Sequence, residues 1–229
     1  MAEPLKLLSS MATRLLLAEL VGRYRLERGV AVELEAVGGV DAARRVAAGE
    51  VVDVVVLASG AIDELIEADR LSAQSRTNVV CSPMAVAVRS GSPRPDVGTE
   101  SALRDAVRLA PSVGYSTGPS GTHFLSLIRR WGLGGELGSR IVQAPPGVPV
   151  GSLVASGEVA IGFQQLSELT HVAGIDVIGR LPPGAELMTY FTAAVSRNSA
   201  QSEAALKLLK FLTSAEHNAL KRSHGLDPV

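Results

Sequence analysis

Residues 45–58, RVAAGEVVDVVVLA, are nearly restated further along the chain by residues 153–166, LVASGEVAIGFQQL. In each copy a helical turn ends in V-A-[AS]-G-E, with Gly49 or Gly157 at the position where a helix stops in the left-handed conformation. A β-branched strand follows. A helix feeding a buried parallel strand, written once in each half, implies two similar lobes. The place where such lobes meet is where function is expected.

The chain has 229 residues, 46% of them hydrophobic, enough for two domains of about 100 residues each. Its formal net charge is −1, with both signs mixed along the sequence. With no basic stripe to release counterions, nucleic acid and anionic lipid are not expected partners. The single cysteine, Cys81, closes the apolar run TNVVCSPMAVAV and reads as a small buried hydrophobe. No apolar run approaches the ~20 residues of a membrane span, so the chain is not expected to be membrane-embedded. The opening Ala-Glu-Pro behind Met1 resembles what remains after signal-peptide removal. That predicts a periplasmic protein whose signal peptide has been cleaved.

Hydrophobic periodicity gives strand Leu5–Leu8, helix 13–28, strand Val30–Ala36, helix Asp41–Ala48, strand Asp53–Leu57 and helix Ile62–Ala68. This rhythm means a parallel sheet with helices on its faces. Beyond it come an extended run 79–88, helix Ala102–Leu109, strand Ser112–Tyr115, a helix over 122–131, and the second copy of the repeat. An extended segment 185–195 and helices over 202–212 and 215–223 complete the chain. The expected fold is α/β and two-lobed, each lobe a mixed sheet flanked by helices. Residues 1–80 with 190–229 form the first lobe and 81–189 the second, joined by two crossings that make a hinge.

In open α/β sheets ligands sit at the carboxyl ends of strands, against the starts of the following helices. Four such junctions stand out. LLSSMATR brings Ser9, Ser10 and Met11, one serine able to cap the next helix; AVGGVDAAR brings Gly38, Gly39 and Val40 with bare backbone amides. VGYSTGPSGTHF brings Thr117, Ser120, Gly121, Thr122 and His123, and APPGVPVGSL brings Val148, Pro149 and Val150. Helix N-termini present unpaired amides and a partial positive charge, so several converging on one cleft bind an anion without lysine or arginine.

Other chemistries fit less well. G-P-S-G-T-H lacks the last glycine of a nucleophile elbow, and neither a P-loop nor G-x-G-x-x-G occurs. The histidines show no metal-ligand spacing, so no metal and no cofactor is expected. His171, His217 and His224 read as solvated positions. His123, in the first turn after the third junction, either faces the cleft as donor, acid or base, or packs at the surface. Trp131, at a helix end, is expected in the core.

The chain resembles the type II periplasmic substrate-binding proteins, in particular those similar to the molybdate-binding proteins of ABC importers. The resemblance lies in LSSMATRLLLAEL, the G-x-x-x-A-A-R-x-V-A-x-G-E-x-x-D-V-V-V-L-A run, S-L-V-A-S-G-E-V-A-I-G-F, and the closing S-A-E-H-N-A-L-K-R-S-H-G-L-D-P. It implies an anion held in the interlobe cleft by amides and hydroxyls, with Ser10 matching the family's first serine, and an ABC permease as partner of a monomeric binding protein. Two departures stand out. Gly38-Gly39 replaces a usual second serine, and Gln164-Gln165 stands where a tyrosine is usual. Loss of those hydroxyls favours a larger planar anion, such as a small di- or tricarboxylate, over molybdate. Aconitate isomerase activity occurs in proteins that look like molybdate-binding ones, so the alternative is an enzyme that moves a proton in a small unsaturated polycarboxylate, with His123 as its catalytic residue.

Overall fold

The computed structural model describes residues 3–229. In chain order the elements are β1 (Leu5–Ser10), α1 (Arg14–Arg28), β2 (Val32–Val37), α2 (Gly39–Ala47), β3 (Val54–Ala58), α3 (Ser59–Glu67), β4 (Thr77–Arg89) and α4 (Glu100–Leu109). There follow β5 (Val113–Tyr115), α5 (Pro119–Arg130), α6 (Gly134–Leu137), β6 (Ile141–Gln143), α7 (Val150–Ser156), β7 (Ile161–Gln165) and α8 (Leu166–Leu169). Last come β8 (Ile175–Arg180), β9 (Met188–Val195), α9 (Ser202–Thr213), α10 (Asn218–Ser223) and β10 (Asp227–Pro228). The chain divides into two compact units, one made of residues up to Cys81 with Tyr190–Val229, the other of Ser82–Thr189. It leaves the first unit inside β4 and returns inside β9.

In the first unit β1 lies between β2 and β3, parallel to both, with Leu5 opposite Val32, Ser10 opposite Val37 and Leu7 opposite Val54. β9 runs antiparallel to β3, with Val54 opposite Val195. Side chains alternate across the sheet. Leu7, Val54 and Val56 therefore join Leu16, Leu20, Leu208 and Leu212 from α1 and α9 on one face. Leu8, Val55 and Leu57 meet Val46, Ile62 and Leu65 from α2 and α3 on the other. Because both faces of β3 are covered, its sequence is continuously apolar rather than alternating.

In the second unit the later part of β4 is flanked by β7 and β8, both antiparallel to it, and β7, β5 and β6 continue as parallel strands. Phe124 of α5 stacks on Phe163 with ring centroids 4.8 Å apart and on Tyr115 at 5.6 Å. On the opposite face α7 lies directly against the backbone. A Cβ at Gly162 would fall 2.5 Å from Val154 Cγ2, so only glycine lets the helix approach this closely. In both copies of the repeat the glycine takes the expected left-handed conformation, φ 94 at Gly49 and φ 82 at Gly157.

Several boundaries differ from the sequence expectation. α2, α3 and α5 start earlier, at Gly39, Ser59 and Pro119, because small residues and proline are tolerated in a first turn where no i−4 partner is needed. α6, β6, α8, β8 and β10 were not anticipated; most are too short for a hydrophobic period to register. His217 is not solvated. It is 4% exposed and lies against Phe211 with ring centroids 4.5 Å apart. His224 is also partly enclosed, with Nε2 3.2 Å from Glu19 Oε2, whereas His171 is exposed. Trp131 is half-buried at the edge of the second unit's core and donates from Nε1 to Glu100 Oε1 at 2.7 Å. Cys81 is buried, at 6% exposure.

Candidate functional site

In the first unit the end of β1 and the start of α2 come together. Ser10 is the last residue of β1, and a Cβ built on Gly39 would lie 3.6 Å from Ser10 Cβ. Neither serine caps a helix, contrary to the sequence expectation: Ser9 Oγ donates to the Ser10 carbonyl at 3.3 Å, as does Thr13 Oγ1. Ser10 Oγ is buried and has no hydrogen-bond partner among the described residues. Gly38 occupies the N-cap of α2, so no side chain satisfies that helix's first amides. Val40 is exposed and Met11 half-buried. The neighbouring β3–α3 junction is built alike, with Ala58 as an uncapped N-cap before Ser59. The sequence reading does not single it out, because the repeat of residues 45–58 ends at Ala58, just before Ser59.

In the second unit the β5–α5 junction is tightly folded. A Cβ at Gly121 would fall 1.7 Å from the Ser116 carbonyl oxygen, so this loop exists only with glycine there. Ser116 and Ser120 share a hydrogen bond between hydroxyls at 2.8 Å. Pro119 has no N–H, and Gly121 and Thr122 give theirs to the Gly118 carbonyl. Thr117 and Thr122 are exposed, Thr122 Oγ1 reaching back toward Gly118 O at 3.5 Å. His123 is half-buried and its Nε2 donates to the Ala185 carbonyl at 2.9 Å. A carbonyl can only accept, so the neutral ring carries its proton on Nε2 and its lone pair on Nδ1. Arg130, two turns further along α5, donates to the Gly184 carbonyl at 2.6 Å. Both side chains thus hold the loop that leads into β9.

The β6–α7 and β7–α8 junctions are joined by side chains. Pro149 is the N-cap of α7 and Val148 is exposed. Val150 N–H, the amide that sequence reasoning offered to a ligand, donates to Gln164 Oε1 at 2.8 Å. Gln164 Nε2 in turn donates to Glu168 Oε1 at 2.8 Å. Gln165, on the opposite face of β7, donates from Nε2 to Thr189 Oγ1 at 2.6 Å, and its Oε1 is buried with no partner among the described residues. Burial pushes the half-buried Glu168 carboxyl up to about 7, the Gln164 bond opposing that rise. Glu168 was missed in the sequence; the signal available was Gln and Glu four residues apart across a strand end. Among the described residues no group of three or more His, Cys, Asp or Glu is arranged to hold a metal ion, and no helix is long and apolar enough to cross a membrane.

A doubly wound α/β chain whose strands end in uncapped helix starts and buried hydroxyls has the build of a type II periplasmic binding protein. The chain belongs to the bacterial extracellular solute-binding protein family, which it matches over residues 5–227. It is 37% identical over 186 residues, 81% of this chain and 71% of the relative, to an aconitate isomerase from Pseudomonas sp. Among solved structures it is similar to the periplasmic molybdate-binding protein of Azotobacter vinelandii, with TM-score 0.80 and 19% identity over 97% of this chain and 98% of that one. It is also similar to a sulfate-binding protein from Mycobacterium tuberculosis H37Rv, with TM-score 0.80 and 18% identity over 100% and 88%. These likenesses bear out the expected family and fold class.

Proposed function

We propose that this protein is a periplasmic solute-binding protein that takes up a small anion with strand-end amides and hydroxyls, acting as a monomer and delivering the ligand to an ABC permease. The observation that carries the reading is Ser10: a hydroxyl buried without a partner, beside a helix start that no side chain caps. Such a group costs about 1–3 kcal/mol unless something bonds to it. An anion accepting from Ser10 Oγ and the first amides of α2 would satisfy both. Molybdate-binding and sulfate-binding proteins share the fold.

The ligand favoured is a small di- or tricarboxylate. Gly38 and Gly39 after β2, and Gln164 and Gln165 of β7, offer no side-chain hydroxyl to a tetrahedral oxyanion. Calorimetric titration with molybdate, tungstate, sulfate, citrate and the two aconitate isomers tests this. Binding of at least one is expected, with carboxylates ahead of oxyanions; no heat from any of them overturns it.

The alternative is an isomerase, and the 37% identical aconitate isomerase favours it. A 1,3-proton shift needs an anion cradle and one group that carries a proton from one carbon to the other. In this reading His123 would use the lone pair on Nδ1, its ring held by the bond to Ala185. Following aconitate by NMR in heavy water decides: interconversion or deuterium uptake that is lost in His123→Asn supports it, and unchanged aconitate overturns it.

A further inference from the structure

Ser10 offers a ligand a donor, and the second unit holds a buried polar group of the opposite character. Gln165 is 2% exposed, its Nε2 donates to Thr189 Oγ1 at 2.6 Å, and its Oε1 has no partner among the described residues. An amide oxygen can only accept, so what it lacks is a donor. The Thr189 hydroxyl both donates and accepts, so turning the carboxamide over keeps that bond and leaves Nε2 unpaired instead. In either orientation one atom of the group is left over, which is rare for a buried polar side chain.

The place of Gln165 in the sheet says what can meet it. Side chains alternate along β7, which puts Gln165 on the face of Phe163, and Phe163 stacks on Phe124 of α5. β5 lies parallel to β7 with Tyr115 opposite Phe163. Gln165, two residues past that pair, is therefore at the carboxyl end of the sheet, level with the turn from β5 into α5. No side chain caps the start of this 12-residue helix. Ligands of open α/β sheets bind at such strand ends. The helix start offers amide donors to a carboxylate, and at the same end of the same face the Gln165 oxygen offers an acceptor that an ionised carboxylate cannot use.

Resting on the anion reading above, we infer that Gln165 selects the ligand by a hydroxyl group, so that the solute is a hydroxycarboxylate rather than a plain di- or tricarboxylate. A hydroxyl donates to Oε1, and it accepts from Nε2 when the carboxamide is turned; it is a ligand group that pairs with Gln165 in both orientations. An ionised carboxylate only accepts, and Oε1 meets it as one acceptor meets another. A ligand without the hydroxyl leaves the carboxamide oxygen buried and unpaired. Sites built to bond a hydroxyl discriminate strongly against the analogue that lacks it, for this reason.

The test is calorimetric titration of the whole protein with two matched pairs, citrate against tricarballylate and malate against succinate, the members of each pair differing only by a hydroxyl in place of a hydrogen. The hydroxylated member of at least one pair is expected to bind about tenfold or more tightly than its partner. Gln165→Met, which keeps the reach of the side chain and removes the carboxamide, is expected to bind the two members with nearly equal affinity. Wild-type protein that binds both members of each pair alike, or prefers those without the hydroxyl, overturns the inference. So does a preference that persists in Gln165→Met, which would make the residue purely structural. Should that variant not fold, nitrogen-15 NMR of the wild type decides: a Gln165 NH2 signal that moves with the hydroxylated member and not with the other supports the inference, and equal movement with both overturns it. Heat from molybdate, sulfate or aconitate but from none of these carboxylates also overturns it and leaves the anion reading standing. Absence of binding heat from every anion would instead remove the anion reading and this inference with it.

Discussion

Ser10 and Gly39 show how one position can serve stability and binding in opposite senses. The Ser10 hydroxyl is buried without a partner, so it costs stability in the empty protein and offers a donor to a ligand. Ser10→Ala is expected to weaken anion binding roughly tenfold or more, since hydrogen bonds to charged groups contribute about 1.5–3 kcal/mol. The same variant should melt no lower than wild type without ligand, which calorimetry of the two proteins checks. His217 carries a pH prediction. Burial, first among the causes, lowers its proton affinity below the ordinary 6.5, so below that pH the unfolded chain binds the proton more readily than the folded one. The stability it contributes is present above 6.5 and is lost as pH falls. Melting temperatures across about pH 7.5 to pH 5 should drop in wild type and drop less in His217→Phe. Glu168 acts in the other direction: its folded state holds the proton between 4.5 and about 7, so its contribution is lost as pH rises through that window.

Elements in this chain are placed by what they lack as much as by what they carry. α7 packs against β5 and β7 because Gly114 and Gly162 leave room for Val150, Val154 and Val159. Gly162→Ala would put a methyl 2.5 Å from Val154 Cγ2, and overpacking of this kind costs about 1–3 kcal/mol. Urea unfolding followed by tryptophan fluorescence should show it, since Trp131 lies in the same unit. The long helices were legible from their period, and the strands of the repeat from their β-branched runs. The four-residue α8 was not, although it holds Glu168 four residues from Gln164. A single turn contains too few positions to show a 3.6-residue period.

For the whole molecule, a ligand that binds only the folded state raises stability by mass action. At 1,000 times its dissociation constant the true ligand should add about 4 kcal/mol. A melting scan against the same anions used for calorimetry should therefore rank them in the same order, and a ligand that gives heat without raising the transition would show binding outside the folded site.

The repeated V-A-[AS]-G-E unit, the strand-helix alternation and the absence of metal or nucleophile motifs were all readable from the sequence, because they depend on residues near one another in the chain. The state of each donor at the strand ends was decided only by the tertiary structure. Gly38 and Ser10 are both unassisted by neighbours, whereas Val150's amide, equally exposed to inspection in the sequence, is closed by a glutamine from a different element. His217, which reads as solvated in the sequence, is buried against Phe211. Hydrogen-bond satisfaction and proton affinity depend on burial and on partners distant in sequence, and local periodicity holds no record of either.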